Sequence, residues 1–296
     1  MTNRLELNWK VDGFIDEQRY YCSETPININ DLPVPKAVLA GDVRNIIDSD
    51  IAEKRYYLLL SSVKNSVEKF GEQVSIWASN KDEYWSSVIC LLHFNGNAND
   101  VKGNAWSVVG ASYETGLFGL GARFNGSTNR YYRSPNNSIF KLTGSATIEF
   151  AIKLLTKPAA GYYAGILSQR YNYSTQAFTI LIDPNSTKLK VELKMSNGNF
   201  VYLEEPINLN EFVKIAIEID RESNKARLFK NGIIVHEVSM PYPLISINYP
   251  MQLGGLDQQS GSGGQLDMII DELRITKDIC RYRREYTTLS EPFPDA

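Results

Sequence analysis

The residues in this 296-residue chain best placed to do chemistry are Glu218, Asp220 and Glu222, within the run EIDRE. Along a strand, alternate side chains share a face, so the three carboxylates project together. Paired carboxylates on one face are what glycoside hydrolysis requires, one as acid and one as nucleophile or base. The run leads directly into a polar hairpin, DRESNK, before the strand-like KARLFKNG. That context places Asp220 and Glu222 at an exposed sheet end and reads them as solvated surface. Hydrolysis through Glu218 and Glu222 is kept as an alternative, and no catalytic residue is assigned.

Other chemistry is thinner. His93 and His236 lie in separate strand-like runs with no HxH or HxxxH spacing, so neither a zinc site nor a Ser-His-Asp arrangement is indicated. The three cysteines, Cys22, Cys90 and Cys280, are odd in number and far apart, which argues against a disulfide framework and a CxxC metal site. Cys22 and Cys90 read as small core residues of strands. No metal ligand set is assigned, and no run of closely spaced acids marks a calcium loop. Sequons at Asn125, Asn136, Asn172 and Asn185 carry little meaning in an Asn- and Ser-rich chain without an export signal.

Binding chemistry is richer, because the chain carries 17 tyrosines. Tyrosine offers a large contact area at low entropic cost, and several of these rings fall in loop-like segments. The candidate ligand-binding residues are Tyr131, Tyr132, Tyr162, Tyr163, Tyr171, Asn172 and Tyr173, with Asp257 in the flexible run GGLDQQSGSGGQ.

The elements that must position these residues are strands. Alternating apolar and polar runs broken by Gly, Asn, Asp and Pro recur from end to end, with roughly a dozen strand candidates after Trp85. No helix-period segment separates them, which excludes a parallel α/β sheet. Ser196-Asn197-Gly198-Asn199 and Asn231-Gly232 supply the left-handed residues of tight hairpins. In IIDELRIT, strict alternation puts Ile269, Asp271, Leu273 and Ile275 on one face, so Asp271 points with the apolar set and needs hydrogen-bond partners. The glycines of FGLGARFNG precede a strand and not a helix, so a phosphate cradle is not indicated.

Charge excludes further classes. A net charge of −3 with scattered Lys and Arg is not the basic stripe of a nucleic-acid binder. No apolar run approaches the roughly 20 residues that cross a bilayer, and MTNRLELNWKVDG lacks the apolar stretch of a signal peptide. The expectation is synthesis in the cytoplasm without export by the usual route.

Two β domains are predicted, residues 1–82 and 83–296, joined near SNKDEYWSS. In the first, Trp9 in an early strand and Tyr56 opening a late one resemble a fibronectin type III sandwich. That resemblance implies that Tyr56 is a corner tyrosine bonded back to the backbone. In the second, LLHFNG, FGLGARFNG, SATIEFAIKL, VKIAIEIDRESNKARLFKNGIIV, MQLGG and IIDELRITKDICRYRREYTTLSEPFPDA follow in an order that resembles the laminin G-like, concanavalin A-like domains of bacteriophage and prophage tail proteins. The resemblance implies an all-β, antiparallel jelly-roll sandwich with Asp271 as a structural anchor. It also implies a virion protein, tail- or fibre-associated, mounted on other virion proteins through the first domain. Such a protein assembles as a homo-oligomer, whose symmetry no heptad or fibrous repeat in this chain fixes, and adheres to host-surface polysaccharide through rim loops. No cofactor is implied beyond a calcium ion of the kind lectins use. A decoration or assembly subunit with no sugar affinity is the alternative.

Overall fold

The computed structural model describes residues 4–49, 52, 54–78, 82–110, 112–126, 130–256 and 266–295. The chain divides into two compact units, residues 1–83 and residues 84–295. Both are antiparallel β structures, and among the described residues the only helical elements are two 3-10 turns, Trp85–Ser87 and Ser138–Phe140. The all-β expectation holds.

The first unit has seven strands: β1 (Arg4–Asn8), β2 (Glu17–Ser23), β3 (Ala37–Ala40), β4 (Asn45–Ser49), β5 (Lys54–Lys64), β6 (Val67–Phe70) and β7 (Val74–Ala78). β1 pairs with β4, while β3, β2 and β5 form a second sheet whose far edge carries β6 and β7 on successive parts of β5. A small core of Leu5, Tyr20, Tyr56, Leu58 and Ala78 lies between the sheets, with Leu7 and Ile46 packed against it. Trp9 falls just beyond β1, and its indole N–H donates to Gln18. Tyr56 contributes its ring to the core. Two other buried tyrosines of this unit have hydroxyl partners: Tyr20 lies 3.1 Å from the carboxylate of Asp48, which Lys36 also neutralises at 2.6 Å, and Tyr21 donates to Glu68 at 2.7 Å.

The second unit opens with β8 (Val88–Leu92), β9 (Ser107–Val109), β10 (Tyr113–Thr115), β11 (Leu120–Asn125) and β12 (Tyr131–Arg133). It continues through β13 (Ala146–Leu154), β14 (Ala164–Arg170), β15 (Gln176–Ile182), β16 (Lys188–Lys194) and β17 (Phe200–Pro206). The last strands are β18 (Phe212–Asp220), β19 (Lys225–Lys230), β20 (Ile233–Ser239), β21 (Gln252–Leu253) and β22 (Asp267–Lys277). One sheet runs β10-β11-β22-β13-β18-β19-β20, with β8 also on β22, and the other runs β17-β16-β15-β14-β21-β12-β9. Alternate residues of both sheets interdigitate in one continuous core, as in sandwiches generally. Asn231 and Gly232 both take positive φ (51° and 83°) and close the β19–β20 hairpin.

Register shifts interrupt several strand pairs, and the one in β22 bears on the sequence reading. Glu149 of β13 faces Arg274 of β22, but Ala151 faces Asp271, so Glu272 and Leu273 together oppose Phe150. This is a β-bulge, with Glu272 in the left-handed region at φ 54°. The extra residue shifts the parity of β22: Met268 and Ile270 face the core before it, Leu273 and Ile275 after it. The expected face of Ile269, Asp271, Leu273 and Ile275 is therefore corrected. Asp271 and Leu273 point to opposite sides because the bulge lies between them.

Candidate functional site

In the second sheet the outward-facing residues form an unbroken cross-strand row. Register pairs Arg133 (β12) with Gln252 (β21), Gln252 with Ser168 (β14), Ser168 with Thr179 (β15), Thr179 with Glu192 (β16), and Glu192 with Tyr202 (β17). The next register row, Tyr132, Leu253, Leu167, Ile180, Val191 and Leu203, belongs to the core. The polar row thus lies on the opposite, outer face, as the two-residue period of strands requires.

Most of this row is closed by internal bonds. Arg133 donates to Gln252 at 2.7 Å, and the Ser168 hydroxyl donates to the Leu256 carbonyl at 3.0 Å. The Thr179 hydroxyl donates to Gln176. Glu192 differs. Its Oε1 lies 3.3 Å from the Lys190 ammonium, while its Oε2 is buried and, among the described residues, has no hydrogen-bond partner.

Beside Glu192 stands a row of near-parallel rings. Tyr173 and Phe200 have centroids 5.9 Å apart at 15°, and Phe200 and Tyr202 are 6.1 Å apart at 9°. Each ring carries a cation: Arg170 at 5.6 Å from Tyr173, Lys194 at 5.5 Å from Phe200, and Lys190 at 4.6 Å from Tyr202. Tyr173 is 58% and Tyr202 39% exposed, so the row is open to solvent. Burial pulls the Lys190 amine down, but the Glu192 carboxylate, then Asp183 and Tyr163, outweigh it and hold the amine above its usual value. The Tyr202 hydroxyl is raised, chiefly by burial and then by Tyr173 and Glu192.

Of the residues expected from sequence, Tyr173 belongs to this face and Tyr163 lies within electrostatic reach of it. Tyr162 is exposed in the same β13–β14 connection as Tyr163. Tyr171 stacks on Tyr249 with centroids 4.8 Å apart. Asn172 folds its own turn, its side-chain oxygen accepting the Thr175 N–H at 2.9 Å. Tyr131 lies against Arg133 on β12, across the sheet from the ring row. Tyr132 is corrected: only 1% exposed, it packs edge-on to Phe94 and Phe124 in the core, because the period of β12 turns it inward. Asp257 lies outside the described residues.

Sequence reading missed Lys190, Glu192, Phe200 and Tyr202. The signal was present. KLKVELK and FVYLEE alternate, and the SNGN hairpin between them fixes which outward residues become neighbours.

The carboxylate set of EIDRE takes another part. Glu218 is fully buried and accepts the backbone N–H groups of Tyr282 at 2.6 Å and Arg283 at 2.9 Å. Asp220, expected at an exposed sheet end, is buried too. It accepts from Arg227 at 3.0 Å and from the Ser223 hydroxyl at 2.6 Å. The bonds from Ser223 and Arg227 outweigh burial and hold its carboxyl down to about 2. Glu222 alone is solvated, and Arg283 pairs with it. Glu218 and Glu222 thereby anchor the C-terminal segment. A cavity of about 330 Å3 nearby is lined by Tyr84, Ser145 and residues 278–283, several of them engaged in the same bonds.

His93 lies just past β8 and bridges the carboxylates of Glu272 and Asp295 at 2.7 and 2.6 Å. His236 accepts the Glu204 N–H at 3.0 Å, which links β20 of one sheet to β17 of the other. Among the described residues no group of three or more His, Cys, Asp or Glu side chains could hold a metal ion. None of the helical elements is long and apolar enough to cross a membrane.

No protein-family model matches the chain, and no curated protein is similar to it. Solved structures do resemble it. The binding domain of Paraclostridial Mosquitocidal Protein 1 aligns with a TM-score of 0.56 at 15% identity, over 68% of this chain and 51% of that one. The receptor binding domain of botulinum neurotoxin D aligns at 0.52 and 14%, over 69% and 51%. A botulinum neurotoxin DC binding domain, solved in complex with SialylT, aligns at 0.53 and 14%, over 67% and 50%. The chain spans about half the length of these structures, and at such identities the likeness is one of fold. They are toxin binding domains and not phage proteins.

Proposed function

We propose that the second unit is a saccharide-binding module whose site is the outer face of the second sheet, around Tyr173, Phe200 and Tyr202. The observation that carries this reading is the row of near-parallel, solvent-open rings beside a buried carboxylate oxygen with no partner. Rings supply apolar contact to the C–H face of a sugar, and a few convergent polar groups orient it. The fold likeness to a binding domain and to a receptor binding domain supports a binding role. On the sequence resemblance, we place the protein in a phage or prophage tail, where this module adheres to host-surface polysaccharide.

A purely structural subunit is the second reading. It is favoured by Tyr171, a loop tyrosine whose ring is already occupied by Tyr249. Hydrolysis at Glu218 has lost its support, since that carboxylate is buried and bound on both oxygens.

Binding of the purified chain to a panel of neutral and acidic polysaccharides, with and without calcium, separates the readings. Saturable binding that disappears in a Tyr173→Ala/Tyr202→Ala variant of unchanged fold is the expected result. Absence of binding at high protein concentration moves the weight to the structural subunit.

A further inference from the structure

We propose that Lys190, Glu192 and Tyr202 form a subsite for one neutral hexose unit, gripped through two adjacent hydroxyls, a ligand class that rests on the saccharide-binding reading above.

Glu192 is only 6% exposed, yet its Oε2 has no partner among the described residues. A buried carboxylate oxygen left without a donor is costly, and native structures rarely keep one unless something supplies the missing bond. Glu192 is also the one member of the polar row that stands beside the open rings, as the direct cross-strand neighbour of Tyr202. Such neighbours on one face lie within side-chain contact of each other.

The Lys190 ammonium occupies the space between them, 3.3 Å from Glu192 Oε1 and 4.6 Å from the Tyr202 centroid. Strong ammonium–carboxylate bonds are shorter, about 2.7–2.9 Å, so this one is loose. Its contact with an exposed ring is weak as well. The lysine is therefore a place-holder that can swing aside on its flexible stem, freeing the ring face and the carboxylate together.

What enters must satisfy one donor and one acceptor of opposite charge. A hydroxyl both donates and accepts. Of two adjacent hydroxyls, one accepts from Lys190 and the other donates to Glu192 Oε2, with the sugar's C–H face against Tyr202. The paired charges already balance each other, so the ligand needs none. A carboxylated sugar would set its charge against Glu192, and a cationic one against Lys190.

The test is calorimetric titration of the full chain with neutral tetrasaccharides of glucose, mannose and galactose, and with tetragalacturonate. Expected is binding of at least one neutral tetrasaccharide, weakened ten-fold or more in Glu192→Gln and in Lys190→Gln, and at least ten-fold weaker binding of tetragalacturonate. Glu192→Gln conserves shape, and an unchanged melting temperature excludes misfolding; Glu192→Asp, which keeps the charge but shortens its reach, is the second variant. If tetragalacturonate binds as well as its neutral counterpart, the assignment falls. It also falls if both Gln variants bind normally while Tyr202→Ala does not, and saccharide binding then still stands. Failure of all four ligands to bind overturns the subsite, and the polysaccharide panel described above then decides the binding reading separately.

Discussion

Glu218, the first residue of the second unit's chemistry-bearing run, accepts the backbone N–H of Tyr282 at 2.6 Å, 64 residues further along the chain. The same carboxylate takes the N–H of Arg283 and the thiol of Cys280 at 3.1 Å. Glu149 holds Arg274 at 2.9 Å and the Tyr282 hydroxyl, while Phe293 lies under the Arg274 guanidinium at 3.7 Å. The acids that looked catalytic thus fasten the C-terminal segment to the outer side of the first sheet. Bonds to a charged acceptor are worth more than neutral ones, and breaking one side of a buried network leaves the other unpaired.

Glu218→Gln is accordingly expected to destabilise the second unit by about 2–4 kcal/mol, since an amide can accept only part of these bonds and turns a donor toward N–H groups. Urea unfolding followed by tryptophan fluorescence measures this. Affinity for any saccharide the parent binds is expected to stay within two-fold at temperatures where the variant is folded.

His93 predicts a pH effect. Its bond to Glu272 raises the imidazole to about 9, burial opposes the rise, and Asp295 adds to it. A folded-state value above the unfolded one of about 6.5 means the stabilisation is complete below that pH. It is lost as pH climbs through about 9. Between pH 7 and 10 the parent is expected to lose melting temperature while His93→Gln changes less over the same range. A parent curve that tracks the variant throughout would remove His93 as the cause.

Asp271 runs in the opposite sense from most carboxylates. Burial lifts it to about 6, with the Phe118 N–H pulling back and Glu272 pushing further up. Its raised value means that the protonated form favours folding below about 3.8, and that this advantage fades as pH rises through about 6. Asp271→Asn keeps a carbonyl oxygen for the Phe118 N–H, 2.9 Å away in the parent. The variant is expected to be about 1–3 kcal/mol more stable than the parent at pH 8 and equal to it near pH 4. Guanidinium unfolding at the two pH values tests this.

Tyr132 separates packing from recognition. Its ring fills the core, yet among the described residues its hydroxyl has no hydrogen-bond partner. Tyr132→Phe is expected to be neutral or to stabilise by up to about 1 kcal/mol, and Tyr132→Ala to cost about 3–5 kcal/mol. Neither is expected to alter saccharide affinity in the folded protein, by the same titrations used for Tyr202→Ala.

Much of this protein was determined by its sequence alone. Two-residue alternation in ATIEFAIKL, KLKVELK and VKIAIEID, punctuated by SNGN and NG, dictates antiparallel strands and hairpins, because each strand buries one face and each tight turn needs left-handed residues. Local period and turn chemistry suffice for that. Three things were settled only when the strands met. The bulge at Glu272 reversed the parity of β22, since an extra residue in one strand is defined only against its partner. Burial of Tyr132, Glu218 and Asp220 depended on which elements came to cover them, and for Glu218 that cover arrives from more than 60 positions away. The row from Arg133 to Tyr202 is legible in the chain only over the consecutive hairpins β14 to β17; its continuation to Gln252 and Arg133 is not, because β21 inserts between β14 and β12 out of sequence order.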